Sequence, residues 1–199
     1  MKPLVVVGGL LAALLAACSE PGDRFDRPTA VAFDPRTGEV VASDGYNHAR
    51  VARFSRGGTF VSDFGKAGAG EGALRTPHGI AVDGDGRVYV ADRENARVQV
   101  FDRDGDVIAV WGSALVGRPW ALTLGRDGFV YVVDGGDQDE VKRGGIVKLT
   151  RDGRVVARLS TAGGGEAGLD GAHAIAVGND GAIYVAESDG KRVRKLIPQ

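Results

Sequence analysis

Histidine side chains at repeated sequence positions could form a metal site. His78 and His173 each follow the first residue of a similar segment, and His48 is the third histidine in the chain. Imidazole nitrogens are common ligands of Zn²⁺, and catalytic zinc sites keep one position open for water or substrate. The pattern predicts a metal site at His78 and His173, with His48 as a further candidate ligand. The alternative is that His78 and His173 form hydrogen bonds to backbone groups in turns.

Two side chains that interrupt the repeated pattern are candidate catalytic residues. Tyr46 and Arg93 lie just after recurring acids, in positions where the other segments have glycine or small polar residues. A tyrosine can act as a general base when a metal or cation lowers its pKa. An arginine can hold a carboxylate through two parallel hydrogen bonds. We therefore predict catalytic roles for Tyr46 and Arg93; the alternative is that each is a surface residue stacked on its neighbour.

Four repeated segments must position these side chains. The segments start 49, 42 and 53 residues apart, at Pro28, Pro77, Pro119 and Ala172. Each is followed, after 16, 15, 15 and 15 residues, by an acid: Asp44, Asp92, Asp134 and Glu187. So constant an offset indicates one structural unit that is repeated. Because every unit has the acid, we predict that it caps turn amides and is not catalytic.

Each unit has the pattern of four short antiparallel strands. In the second unit the strands are predicted at 79–83, 87–91, 97–101 and 107–111, and Asp-Gly pairs between them favour tight turns. The sequence predicts an all-β fold, a β-propeller of about four four-stranded blades. The blades are placed near 28–65, 77–112, 119–160 and 172–199, with the last blade incomplete. A polar insertion at 135–145 in the third unit is predicted to be a surface loop.

The register of the repeats predicts which side chains meet. Equivalent positions in successive blades lie at one height around the central channel, so Thr29, His78, Trp120 and His173 should form a ring at its mouth. His78 and His173 should then point towards each other. The pattern leaves open whether the ring closes, stays open or is completed by a dimer.

The first 18 residues are typical of a lipoprotein signal peptide. Lys2 precedes an apolar run that is too short to span a bilayer, and Leu15-Ala16-Ala17-Cys18 is similar to a bacterial lipobox. We expect Cys18, the only cysteine, to be lipidated, with a linker at 19–27 and membrane contact through the anchor only. Ser19 favours the outer membrane or cell surface within the cell envelope. The alternative is an ordinary signal peptide that is cleaved nearby.

Length and charge limit the classes of function. A chain of 199 residues suits one domain, and a formal net charge of -1 argues against the broadly basic surface that nucleic-acid binding requires. We therefore expect no nucleic-acid partner.

Three motifs resemble those of a known enzyme family. They are Asp44-Gly45-Tyr46-Asn47, Thr76-Pro77-His78-Gly79 and Ala91-Asp92-Arg93-Glu94-Asn95-Ala96-Arg97-Val98. These are similar to motifs of the peptidyl-α-hydroxyglycine α-amidating lyases, which are NHL-repeat β-propellers. The likeness runs from about Phe25 to Leu196 and corresponds to the last four of the six blades in that family.

The resemblance implies a zinc-dependent reaction that splits a peptide ending in α-hydroxyglycine into a peptide amide and glyoxylate. It implies that Tyr46 is the base, that Arg93 is an active-site arginine, and that His78 and His173 are two of three zinc ligands. The third ligand of the family has no counterpart here, and His48 is the candidate to replace it. Ala174 occupies the position of an aspartate that binds a structural calcium in the family, so no such calcium is expected.

Two functions remain open from the sequence. One is this lyase activity, on a peptide or protein ligand at the upper propeller face. The other is a non-catalytic envelope scaffold that binds a protein or glycan on the same face, because propellers serve many functions. The sequence leaves open whether the chain is an enzyme, and leaves its oligomeric state open too.

Overall fold

The fold is known from a computed structural model that describes residues 24–135, 144–160 and 168–197. The predicted signal peptide with Cys18, and most of the predicted insertion, lie outside these residues. Within the described residues, no helix combines the length and apolar character that crossing a membrane requires.

The described residues form four antiparallel blades of a β-propeller, as the repeats predict. The first blade has β1 to β4, at Pro28–Phe33, Val40–Asp44, Arg50–Phe54 and Phe60–Phe64. A short parallel pair follows, β5 and β6, at Lys66–Ala67 and Ala73–Leu74. The second blade has β7 to β10, at Pro77–Val82, Val88–Asp92, Arg97–Phe101 and Val107–Trp111.

The third and fourth blades repeat this topology. The third has β11 to β14, at Pro119–Leu124, Val130–Asp134, Gly145–Leu149 and Val155–Ser160. The fourth has β15 to β17, at Ala172–Val177, Ile183–Glu187 and Arg192–Leu196. Its three strands, among the described residues, agree with the predicted incomplete blade. A short α-helix at Ser113–Val116 and a 3-10 turn at Arg93–Asn95 were not predicted.

The hydrophobic core lies between the blades. Inner strands of consecutive blades pack together, β1 on β7, β7 on β11 and β11 on β15. Three clusters of buried aliphatic and aromatic residues fill the spaces between blades. No comparable interface joins β1 to β15, so the described part of the ring is open between the first and last blades.

The acid at the end of each second strand has an architectural role. Asp92 accepts hydrogen bonds from the Arg75 backbone N–H at 2.7 Å and from Arg97 Nε at 2.7 Å. Asp44 likewise accepts the backbone N–H of Asp26. In the first two blades these acids tie the chain that enters the blade to the end of the second strand, on the rim where the candidate site lies.

Candidate functional site at the channel mouth

His78 is the buried centre of the candidate site. It lies on β7, and its Nδ1 atom is 2.8 Å from the carbonyl oxygen of Trp120 on the next blade. A carbonyl oxygen only accepts hydrogen bonds, so Nδ1 carries the proton and Nε2 keeps a lone pair. Nε2 is 3.2 Å from the hydroxyl of Tyr46, which therefore donates to it.

His173 and Trp120 lie against His78. The ring centroids of His78 and His173 are 5.1 Å apart, and Trp120 is 4.8 Å from His173 and 5.1 Å from His78. The repeat register thus predicted correctly that these two imidazoles lie together. Their binding of a metal stays a prediction.

Arg93 joins the same cluster through Trp120. Its guanidinium carbon lies 3.7 Å from the centroid of the indole ring, and its Nη1 atom is 3.1 Å from Glu94 Oε1. A cation stacked on an aromatic face is held in a fixed orientation and keeps donors at its edge. Arg93 is therefore placed beside the histidine pair.

Tyr46 completes the cluster from the first blade. Its ring meets His78 edge to face, with centroids 5.8 Å apart, and the guanidinium of Arg27 lies 4.8 Å from the Tyr46 ring centroid. Tyr46 as a whole is 43% exposed, so the cluster borders solvent at this residue. Tyr46, His78, Trp120 and His173 come from four different blades, and the propeller alone brings them together.

Thr29 occupies the ring position of the first blade but has a structural role. Its hydroxyl donates to the carbonyl oxygen of Pro77 at 2.7 Å. This bond ties the first blade to the second. The sequence predicted the level of Thr29 along the propeller axis but not its hydrogen bond to Pro77.

His48 lies in a different environment. Its Nδ1 is 2.6 Å from Oδ2 of the buried Asp44, and it lines a cleft with Arg50 and Lys66. Among the described residues, no group of three His, Cys, Asp or Glu side chains is arranged to hold a metal. The structure therefore brings two of the three candidate ligands together and pairs the third with an acid.

Burial makes His78 a weak base. Desolvation is the main cause that lowers its pKa to about 4, and the nearby His173 and Arg93 charges lower it further, against the hydrogen bond to Trp120. His78 is consequently neutral at pH 7, and its unprotonated Nε2 accepts the Tyr46 hydrogen bond.

Acid is expected to destabilise the metal-free protein through His78. The unfolded histidine has a pKa near 6.5 and the folded one about 4, so the unfolded chain binds the proton first as pH falls. The free energy of unfolding should drop by up to about 3 kcal/mol between pH 6.5 and pH 4. Urea titrations with a chelator present, on the wild type and His78→Gln, measure this. An equal pH dependence in both proteins would rule out this contribution.

Comparison with known proteins identifies the repeat. The sequence model of the NHL repeat matches residues 74–101, which run from the end of β6 to the end of β9. The chain is a β-propeller that contains an NHL repeat. Over 93% of its length it is 32% identical to peptidyl-glycine alpha-amidating monooxygenase B of Xenopus laevis, of which it covers 22%. It is 26% identical over 88% of its length to a probable peptidyl-alpha-hydroxyglycine alpha-amidating lyase of Caenorhabditis elegans, of which it covers 51%.

The fold of this NHL propeller recurs in solved structures. Virginiamycin B lyase from Staphylococcus aureus superposes with a TM-score of 0.64 at 18% identity, over 85% of this chain and 52% of that one. At this identity the likeness concerns the fold alone. The NHL propeller spans about half of that structure and about a fifth of the Xenopus protein.

Proposed function

We propose that this NHL propeller is a peptidyl-α-hydroxyglycine lyase, which releases a peptide amide and glyoxylate. The observation that carries the proposal is the single cluster of Tyr46, His78, His173 and Arg93 at the channel mouth. The relationship to amidating enzymes at about 30% identity supports it.

The reaction moves one proton and breaks one bond. The α-hydroxyl of the substrate loses its proton, the bond between the α-carbon and the amide nitrogen breaks, and that nitrogen gains a proton. The single bond between the α-carbon and the former hydroxyl oxygen becomes the C=O double bond of the glyoxylate aldehyde. No oxidant or reductant is required.

The side chains divide these tasks. The Tyr46 hydroxyl oxygen receives the proton of the substrate hydroxyl while its own proton passes to the amide nitrogen of the breaking bond. In the metal-free protein the hydrogen bond to His78 orients this hydroxyl. Arg93, held on the Trp120 ring, pairs with the substrate carboxylate through two hydrogen bonds. These contacts place the scissile C–N bond between the general base and the carboxylate anchor.

A zinc ion fits this cluster in part. The Nε2 lone pair of His78, which accepts the Tyr46 hydrogen bond, and the adjacent His173 ring supply two nitrogen donors, while catalytic zinc sites use three protein ligands. His78 and His173 would hold the ion, and when bound it would polarise the substrate oxygens. The hydrogen bond from Tyr46 to Nε2 must yield for this, because both use the same lone pair.

Incubation with a peptide that ends in racemic α-hydroxyglycine tests the proposed activity. We expect the full-length protein to release glyoxylate and amidated peptide from one enantiomer, whereas uncatalysed breakdown consumes both. His173→Ala should abolish the release, and His48→Gln should keep it because His48 lies in another cleft. If the folded protein releases no glyoxylate above the uncatalysed rate, the lyase assignment fails and the binding scaffold is favoured.

A further inference from the structure

The three interfaces between consecutive blades are built in the same way. In the second blade, one sheet face, here called the leading face, includes Ile80 and Val82 and packs on the preceding blade. The opposite face, here called the trailing face, includes Tyr89 and Val98 and packs on the following blade. The third and fourth blades meet in the same way. In each interface, therefore, the trailing face of one blade covers the leading face of the next.

The leading face of the first blade has no such cover among the described residues. Val31 and Phe33 are 59% and 63% exposed, whereas the equivalent Ile80 and Val82 of the second blade are 6% and 8% exposed. A groove of about 310 Å³ lies on this face, and its lining includes Phe25, Val31, Val40 and Phe54. Exposed aromatic and aliphatic side chains on one sheet face are typical of an interaction surface.

The trailing face of the fourth blade also lacks a covering blade among the described residues. Val193 is 69% exposed, whereas its equivalent in the second blade, Val98, is fully buried. Tyr184 is equivalent to the buried Tyr89 and is only partly covered. This face has the residue types that cover leading faces elsewhere in the molecule.

Ion pairs also join consecutive blades at the edge of their interfaces. Arg103 and Arg151 each lie two residues after the third strand of their blade and reach acids of the preceding blade, Glu39 at 2.8 Å and Asp85 at 3.6 Å. Arg56 holds the same position in the first blade and is exposed.

The acid that Arg56 would need lies on the fourth blade. Asp180 follows the start of β15 by eight residues, as Asp85 follows the start of β7. Its only ion pair among the described residues is with Lys195 of the same blade, at 3.7 Å. The exposed Arg56 of the first blade thus corresponds to the exposed Asp180 of the fourth blade.

We propose that two copies of this chain associate head to tail, with the trailing face of the fourth blade of one copy packed on the leading face of the first blade of the other. Val193 and Tyr184 then cover Val31 and Phe33, and Arg56 pairs with Asp180 of the second copy. The contact is heterologous, and two such contacts close a ring of two chains. This surface is separate from the cluster at the channel mouth.

Native mass spectrometry of the full-length protein across a concentration series tests the association. We expect a mass of two chains. Phe33→Asp and Val193→Asp should each weaken the dimer about 30-fold or more, because each places a charge in the centre of an apolar contact. Ile108→Asp is the matched control, because Ile108 is 51% exposed on β10, outside both faces, and should leave the dimer unchanged.

A charge exchange distinguishes the head-to-tail arrangement from any other dimer. Arg56→Glu and Asp180→Arg should each weaken the dimer, and the double variant should restore it, because every contact then pairs Glu with Arg again. A monomer at every concentration would overturn the proposal. So would a dimer that withstands both aspartate substitutions, or a double variant that is weaker than either single one.

Discussion

Replacing Tyr46 by phenylalanine is expected to lower kcat/KM for glyoxylate release by about 10²- to 10⁴-fold, the usual contribution of a positioned general base. The substitution removes only the hydroxyl that contacts His78 Nε2 at 3.2 Å and leaves the edge-to-face ring contact in place. His78 keeps its hydrogen bond to Trp120. The loss should therefore appear in the chemical step, with the free energy of unfolding changed little.

Tyr184→Phe is the matched control for this experiment. Tyr184 lies on the second strand of the fourth blade with Lys195 Nζ 5.4 Å from its ring centroid, and its hydroxyl should be dispensable for glyoxylate release. If Tyr46→Phe retains wild-type kcat/KM, or if both variants lose activity equally, Tyr46 is not the base.

Replacing Gly45 by alanine is expected to lower the free energy of unfolding by about 3 kcal/mol or more. A Cβ atom at this position would lie 2.0 Å from the carbonyl oxygen of Pro77 and 3.0 Å from its carbonyl carbon. These atoms belong to the backbone of β7, which is paired with β8 and cannot move aside as a flexible side chain would. The first and second blades must separate to admit the methyl group, and this would also shift Tyr46 relative to His78.

Gly84→Ala is the control for Gly45→Ala, and urea unfolding at pH 7 measures both. Gly84 lies in the turn between β7 and β8, and an added Cβ would meet no atom within 4 Å. We expect a change of about 0.5 kcal/mol or less, typical of open surface positions. Equal losses in the two variants would show that the approach of Gly45 to Pro77 does not limit stability.

The repeat offset predicted much of the fold and part of the site. The strands of the second blade were placed to within two residues at each end, because Asp-Gly turns and alternating apolar residues mark them. The amide-capping role of Asp92 followed from the presence of an acid in every unit. The contact of His78 with His173 followed from register alone, because side chains at equivalent positions converge on the propeller axis.

Loop side chains could not be placed in this way. His48 lies four residues after Asp44 in a loop whose course the repeat does not determine, and it pairs with that acid. The stacking of Arg93 on Trp120 joins a turn of one blade to a strand of the next. Repeat register gives the height of such residues but not the direction of a long side chain.

One packing signal in the sequence was missed. Three residues before the start of each inner strand there is a large apolar residue: Phe25, Leu74, Val116 and Leu169. The last three are buried in the clusters between blades. A search for apolar residues at equal offsets before each repeat would have found this set and extended the repeat towards the N-terminus.

The zinc content of the purified full-length protein tests most directly whether His78 and His173 form one functional site. We expect about one zinc ion per chain in the wild type, loss of zinc in His173→Ala, and retention of zinc in His48→Gln, because His48 is held by Asp44 in a separate cleft. A wild-type protein without zinc after incubation with the metal, or one that loses zinc only in His48→Gln, would contradict the assignment of these two histidines.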